Sequence, residues 1–196
     1  MILWTFQPLH VWEMICTEGV YRCDPEKSSM PEPEFAKKYN WLICQMKKCI
    51  GAPPQGIQYP VWAWYKLNNK RRKPDLRIER WCYGTGGEKY ACIEFEVPDD
   101  QVLLSDFDEW SIILLDGLLA GSEAEADKLD AYFESLTPEK QILFKEKNWE
   151  KAFDLTPVHN KWMIRGENIQ ATLWQLQKSM VRDVRFFITG KRRNDQ

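Results

Sequence analysis

A chain of 196 residues that is 44% hydrophobic is long enough to form a single domain, residues 1–196, with a core that needs neither disulfides nor a structural metal. The formal net charge of −2 excludes a protein that attracts nucleic acid through an overall positive charge. Neither a signal-peptide pattern nor an apolar run of membrane-spanning length occurs, so the sequence predicts a cytoplasmic protein without a membrane contact.

The cysteine and histidine pattern bears on redox state and metals. None of the six cysteines forms a Cys-x-x-Cys pair, and the two histidines, His10 and His159, are far apart in the chain. This pattern predicts no zinc site and, in a cytoplasmic protein, no disulfide.

The first fifty residues alternate short strands with helices. A strand is predicted over residues 2–7, and Pro8 then begins a helix that Gly19 ends. A second short strand covers residues 20–23, and a proline-containing loop over residues 24–33 follows. The helix after that loop extends over residues 34–50, because apolar residues recur there at helical spacing.

A strand over residues 59–67 and a hairpin make up the next part. The hairpin arms are residues 75–82 and 88–97, joined by Gly84-Thr85-Gly86-Gly87. In that register Arg77 lies opposite Glu94, and Asp75 lies opposite Glu96. One face of the hairpin is then apolar and the other charged, as a half-buried sheet requires.

The remaining elements are mainly helical. Residues 102–104 extend the sheet, and helices are predicted over residues 107–119, 123–135 and 138–149. A long helix or a helix–strand unit is predicted over residues 169–187. The fold class is therefore α+β, with a small, mostly antiparallel sheet covered by helices, a sheet-forming part at 1–110 and a mainly helical part at 111–196.

Six sequence segments together resemble a bacterial family of unknown function, DUF3841. These segments are residues 3–8, 19–25, 59–64, 73–77, 102–108 and 169–174. The resemblance covers nearly the whole chain and implies no established activity. In that family a His often follows the Trp after the Ser-Asp-Phe-Asp segment, whereas this chain has Ser111.

The amino-terminal strand–helix–strand pattern also resembles the opening of ADP-ribosyltransferase-like domains. In those domains an aromatic and a polar residue of the first strand hold the nicotinamide ribose. The resemblance implies such a role for Trp4, Thr5 and Gln7. The Arg or His that is usual in that family is absent here.

The first functional hypothesis is therefore a transferase that uses NAD. Glu94 or Glu96 stabilises the cationic sugar that forms when nicotinamide leaves, because a negative charge is needed beside a developing oxocarbenium ion. The tryptophans stack on nicotinamide, and Arg22 holds the pyrophosphate. The residues assigned to the cofactor are Trp4, Thr5, Gln7, Arg22, Trp62, Trp64 and Arg77.

The second hypothesis is a metal-dependent nuclease. Pro74-Asp75 followed by Glu94-x-Glu96 resembles the Mg²⁺ site of restriction-type nucleases, in which an Asp and two alternating residues converge on the metal. A basic run precedes this pattern, and it suits a nucleotide or nucleic acid as partner. The run consists of Lys70, Arg71, Arg72 and Lys73.

Two non-catalytic alternatives stay open. One is a binding module with a Trp-lined cleft, and the other is an ordinary solvated sheet face whose charges only pair with one another. The shape of the sheet distinguishes the hypotheses. Parted strands with a nicotinamide-sized cleft favour the transferase, and carboxylates that converge within reach of a metal favour the nuclease.

Overall fold

A computed structural model describes residues 1–23 and 33–190. Most of the loop predicted over residues 24–33 lies outside the described residues. The strands are β1 (Ile2–Pro8), β2 (Val20–Tyr21), β3 (Val61–Lys66), β4 (Lys89–Glu96), β5 (Leu103–Asp106), β6 (Val158–His159), β7 (Ile164–Arg165), β8 (Ile169–Leu173), β9 (Leu176–Gln177) and β10 (Val181–Ile188). The helices are α1 (Leu9–Glu18), α2 (Pro33–Ile50), α3 (Leu76–Glu79), α4 (Phe107–Leu114), α5 (Glu123–Glu134) and α6 (Pro138–Trp149).

Six strands form one antiparallel sheet in the order β10-β4-β1-β3-β8-β5. Strands β2 and β9 form a separate two-stranded sheet, as do β6 and β7. The α+β class and the antiparallel sheet are therefore confirmed. None of the helices that the structure describes combines the length and the apolar character that crossing a membrane requires.

The two faces of the main sheet pack against different layers. On one face Leu3, Ile93 and Phe95 pack with Val11 and Ile15 of α1 into one buried cluster. The opposite face carries the alternate residues, and residues of α2, α4 and α6 contribute to a second cluster there. That second cluster contains Trp41, Leu42, Met46, Trp110, Ile113 and Trp149.

The predicted hairpin is wrong, although the predicted faces of β4 are right. Ile93 and Phe95 are fully buried, as the alternation of β4 indicates. The first arm is not a strand, because the Asp75 carboxylate accepts the backbone N–H of Arg77 and thereby caps the short helix α3. Strand β4 pairs instead with β1, where Trp4 lies opposite Glu94, and with β10.

The predicted helical content of the last segment is also wrong. Within residues 169–187 the structure has strands β8, β9 and β10, and β8 lies between β3 and β5. The residues of β8 alternate between apolar and polar (Ile169-Gln170-Ala171-Thr172-Leu173), which is typical of a strand. All five are nevertheless buried, because Gln170 and Thr172 donate hydrogen bonds to Ser105 and to the Leu103 carbonyl of β5. Both halves of the chain therefore build the sheet. Helices α5 and α6 confirm the predictions over 123–135 and 138–149, whereas α4 begins at Phe107 as predicted but ends at Leu114, five residues before the predicted end.

Candidate functional site

A cleft opens beside strands β1 and β3, where α2 and α4 pack against the sheet. These strands pair at one register position, Trp4 opposite Trp64, whereas β1 and β4 pair at seven. Next to that position the Thr5 hydroxyl donates to the carbonyl oxygen of Trp62 (2.8 Å), so a side chain bridges the two strands. The cavity here has a volume of 380 Å³.

We call this cavity the aromatic cleft, because seven aromatic side chains line it. They are Phe6, Tyr39, Trp62, Trp64, Tyr83, Phe107 and Trp110. The polar lining residues are Thr5, Gln7, Ser111 and Gln170. Among the described lining residues there is no charged side chain, so the cleft suits a neutral, flat group.

Ring-to-ring contacts hold the aromatic walls in place. The Trp62 and Trp110 rings lie 5.5 Å apart, and Tyr39 meets Trp110 edge-on at 5.6 Å. In a separate contact the rings of Trp64 and Phe107 lie 5.1 Å apart. Such pairs contribute about 0.5–1.5 kcal/mol beyond the area that they bury, so the walls are formed before a ligand enters.

Hydrogen bonds fix the polar side chains of the cleft. The Gln7 side-chain N–H donates to the Thr5 hydroxyl oxygen (2.8 Å). That hydroxyl in turn donates to the Trp62 carbonyl oxygen. The Trp64 indole N–H donates to the Tyr83 hydroxyl (2.9 Å), and that hydroxyl keeps its own proton for another acceptor. Burial is the main cause that raises the pKa of Tyr83, so this residue stays a neutral donor.

The structure brings together four of the seven residues that sequence reasoning assigned to a cofactor: Thr5, Gln7, Trp62 and Trp64. The other three lie elsewhere. Trp4 is buried in a cluster with Phe6 and Cys92, Arg22 contacts Gln175, and Arg77 forms an ion pair with Asp75 at 2.6 Å.

The three predicted catalytic carboxylates do not converge. Glu94 accepts the Trp4 indole N–H at 3.0 Å and lies 3.6 Å from the Lys73 ammonium. Glu96 forms an ion pair with Arg182. Hydrogen bonds from Arg77 lower the pKa of Asp75 to about 2. None of the three lines the aromatic cleft, and the described residues contain no group of three acidic, His or Cys side chains that is able to hold a metal.

These contacts predict different structural roles for Glu94 and Glu96. Glu94→Ala leaves the buried Trp4 indole N–H without its acceptor, so we expect the free energy of unfolding to fall by about 1–3 kcal/mol. Glu96→Ala removes an exposed ion pair and should change it by less than about 1 kcal/mol. Urea denaturation of both variants tests this difference, and equal losses would contradict it.

The basic run borders a second cavity, of 700 Å³. We call it the basic groove, and its basic lining residues are Lys70, Arg72, Lys73, Arg77 and Arg185. Arg71 does not line it, because its guanidinium lies over the Tyr65 ring at 4.1 Å. Glu79 and Asp75 are the acidic lining residues, and sequence reasoning did not identify Glu79 or Arg185 as site residues.

A third cavity, of 580 Å³, lies beside the start of α4. Glu109 lines it, and the Glu109 side chain is only 4% exposed. Burial raises the pKa of Glu109 to about 7, although Arg165 lies 3.5 Å away. Its Oε2 atom has no hydrogen-bond partner in the described structure.

Sequence reasoning missed several residues of the aromatic cleft, but a signal for some of them was present. Phe107 and Gln170 fall in segments that carry the family resemblance. Ser111, at the position where that family often has His, also lines the cleft and donates its hydroxyl to the Phe107 carbonyl (2.9 Å). Tyr39 and Tyr83 reach the cleft through tertiary packing, and no local pattern indicates them.

Comparison with known proteins identifies one family. The family model described as "Domain of unknown function (DUF3841)" matches residues 2–182. No curated protein and no solved structure shows a significant match. The resemblance to ADP-ribosyltransferase-like domains therefore has no support from these comparisons.

Proposed function

The chain belongs to the family of unknown function DUF3841, and we propose that it binds the flat ring of a nucleotide in the aromatic cleft, with the nicotinamide ring of NAD as first candidate. The observation that carries this proposal is the lining itself. Seven aromatic rings and two amide side chains surround one cavity, and no described lining residue is charged.

The chemistry of the cleft matches a neutral heterocycle that carries an amide. Stacking of a base on an aromatic side chain contributes about 1–3 kcal/mol, which supplies affinity. Gln7 and the Tyr83 hydroxyl provide polar groups for the carboxamide of nicotinamide. The volume of 380 Å³ lies at the small end of the ligand-pocket range, about 300–1,000 Å³, and so suits a ring with its sugar better than a whole dinucleotide.

Transfer of ADP-ribose from NAD is the enzymatic form of this proposal. The reaction needs a carboxylate beside the ribose, and no described carboxylate lines the cleft. Glu94 is tied to the cleft indirectly, because it binds Trp4, which lies opposite Trp64 on the neighbouring strand. The geometry thus supports ring binding more strongly than transfer, and no contact of Asp75, Glu94 or Glu96 favours the nuclease.

A matched pair of substitutions at Ser111 tests ring binding. Ser111→Phe fills the cleft and should abolish binding of NAD and nicotinamide, whereas Ser111→Ala leaves the cleft open and should bind as the wild type does. At one hundred times its dissociation constant, NAD adds about 2.7 kcal/mol to the stability of the folded wild type. For a chain of this length that raises the melting temperature by about 5–10 °C.

Calorimetric titration and thermal scans of the wild type and both variants give the answer. Equal binding by Ser111→Phe and the wild type, or no binding of NAD, nicotinamide or adenosine by the wild type, would refute the proposal. Release of nicotinamide, measured on the same samples, reports transfer separately. If transfer occurs through Glu94, Glu94→Gln should abolish that release while NAD binding persists.

A further inference from the structure

The basic groove concentrates positive charge in a protein whose net charge is negative. Five basic and two acidic side chains line it, so the lining carries a formal charge of +3 when all are ionised. The whole chain has a formal net charge of −2. A concave surface with this local excess attracts anions.

Three of the five basic side chains are already occupied by protein groups. Lys73 lies 2.9 Å from Asp183, Arg77 pairs with Asp75, and Arg185 donates to the Pro74 carbonyl at 3.0 Å. Each of the three therefore already has a partner within the protein. They contribute long-range attraction to an anion more than new contacts.

Lys70 and Arg72 differ from these three. Both side chains are exposed, and within the described part of the chain neither has an ion pair. Lys70 is positioned by the tight turn at Asn68 and Asn69, where its backbone N–H donates to the Leu67 carbonyl. These two cations are free to meet a ligand at the rim of the groove.

Glu79 gives the groove a second kind of contact. It is 5% exposed although it lines the cavity, and it accepts a hydrogen bond from the Asn68 side-chain amide at 3.5 Å. Burial and the neighbouring Asp75 raise its pKa. The Glu79 carboxyl group therefore lines a basic cavity without an ion pair of its own in the described structure. Such a group is suited to hydrogen bonding with a hydroxyl group of a ligand.

We infer that the basic groove binds a small phosphate ester that carries free hydroxyl groups, such as a sugar phosphate, with its phosphate on Lys70 and Arg72 and a hydroxyl on Glu79. A continuous nucleic-acid strand fits less well, because it would have to pass the carboxylates of Asp75 and Glu79 with only two free cations to neutralise it. The inference does not depend on the aromatic cleft, since none of the cleft-lining residues lines the groove.

Adjacent arginines offer a matched experiment. Ribose 5-phosphate, ribose and inorganic phosphate are titrated into the full chain at low salt, and binding is followed by calorimetry. We expect Arg72→Gln to weaken binding of ribose 5-phosphate at least tenfold, because it removes a phosphate contact. Arg71→Gln removes the same charge from the neighbouring position, whose side chain does not line the groove. It should change the affinity for ribose 5-phosphate less than twofold.

Glu79→Gln tests the hydroxyl contact. It should reduce the preference for ribose 5-phosphate over inorganic phosphate, and a thermal scan confirms that the variant is folded. Equal losses in Arg71→Gln and Arg72→Gln would overturn the inference by showing diffuse charge attraction. Binding of a single-stranded oligonucleotide without binding of ribose 5-phosphate would also overturn it. Ser111→Phe should leave ribose 5-phosphate binding unchanged, so the groove and the cleft are tested independently.

Discussion

Asp106→Ala is expected to lower the free energy of unfolding by about 3–5 kcal/mol. The Asp106 side chain is fully buried and accepts three backbone N–H groups. One oxygen caps α4 through Asp108 (3.0 Å) and Glu109 (3.1 Å), and the other accepts from Gly166 (2.7 Å). Alanine removes the cap and also leaves the buried Gly166 N–H without an acceptor.

Asp106→Asn separates the two contributions. Asparagine is a good N-cap, so α4 keeps its start. If the amide oxygen of asparagine keeps the cap, its N–H₂ group faces the Gly166 N–H, and that buried donor loses its acceptor. If the amide is turned the other way, the N–H₂ group faces the Asp108 and Glu109 N–H groups, and the cap is lost instead. We expect a loss of about 1–3 kcal/mol.

Chemical denaturation of both variants measures these losses, and Ser122→Ala is the control. Ser122 caps α5 at an exposed position through the Glu125 N–H, so that change should cost about 1 kcal/mol. Because α4 carries Trp110, Ser111 and Leu114 of the aromatic cleft, Asp106→Ala should also weaken ring binding. Losses no larger than that of Ser122→Ala would show that Asp106 does not hold α4 to Gly166.

Glu109→Gln is expected to make the protein more stable than the wild type at pH 8 by about 3 kcal/mol. The folded-state pKa of Glu109 is about 7, raised from an ordinary 4.5 chiefly by burial and partly offset by Arg165. The folded state therefore binds this proton more tightly than the unfolded state. Its contribution to stability is complete below about pH 4.5 and is lost as the pH rises through 7.

The size of the effect follows from the same two pKa values. A difference of about 2.5 pKa units corresponds to about 3 kcal/mol at 1.36 kcal/mol per unit. Glutamine has no such proton, and Arg165 retains its ion pair with Asp154 at 3.0 Å. The stability advantage of the variant should therefore grow between pH 5 and pH 8.

Urea denaturation at several pH values tests this expectation. Glu146→Gln, at an exposed position, is the control for loss of a surface carboxyl group. Parallel curves for Glu109→Gln and the wild type would mean that Glu109 titrates alike in the folded and unfolded states.

The predicted ends of two helices and the predicted faces of β4 are confirmed. Proline and glycine mark the ends of α1, and Thr137-Pro138 marks the start of α6, because these residues act on the backbone next to them. The faces of β4 follow from strict alternation, so Ile93 and Phe95 are buried whichever strands lie beside it. Trp62 and Trp64 of β3 line one cleft with Thr5 and Gln7 of β1, and their contact with one ligand stays a prediction.

Strand partners and the charged sites depend on the whole fold. Glu94 of β4 lies opposite Trp4 on one side and Asp183 on the other, residues about ninety positions away in each direction. No local pattern contains such contacts, because a strand's backbone groups accept any neighbour with the right geometry and burial decides which one packs. For the same reason the two carboxylates that alternate on β4 bind different partners: Glu94 binds Trp4 and Lys73, and Glu96 binds Arg182. Glu79 and Glu109 become buried only when distant segments pack over them. Local patterns therefore predict several helix ends and the faces of β4, and tertiary packing decides which strands pair, which charges are buried and which cavities they line.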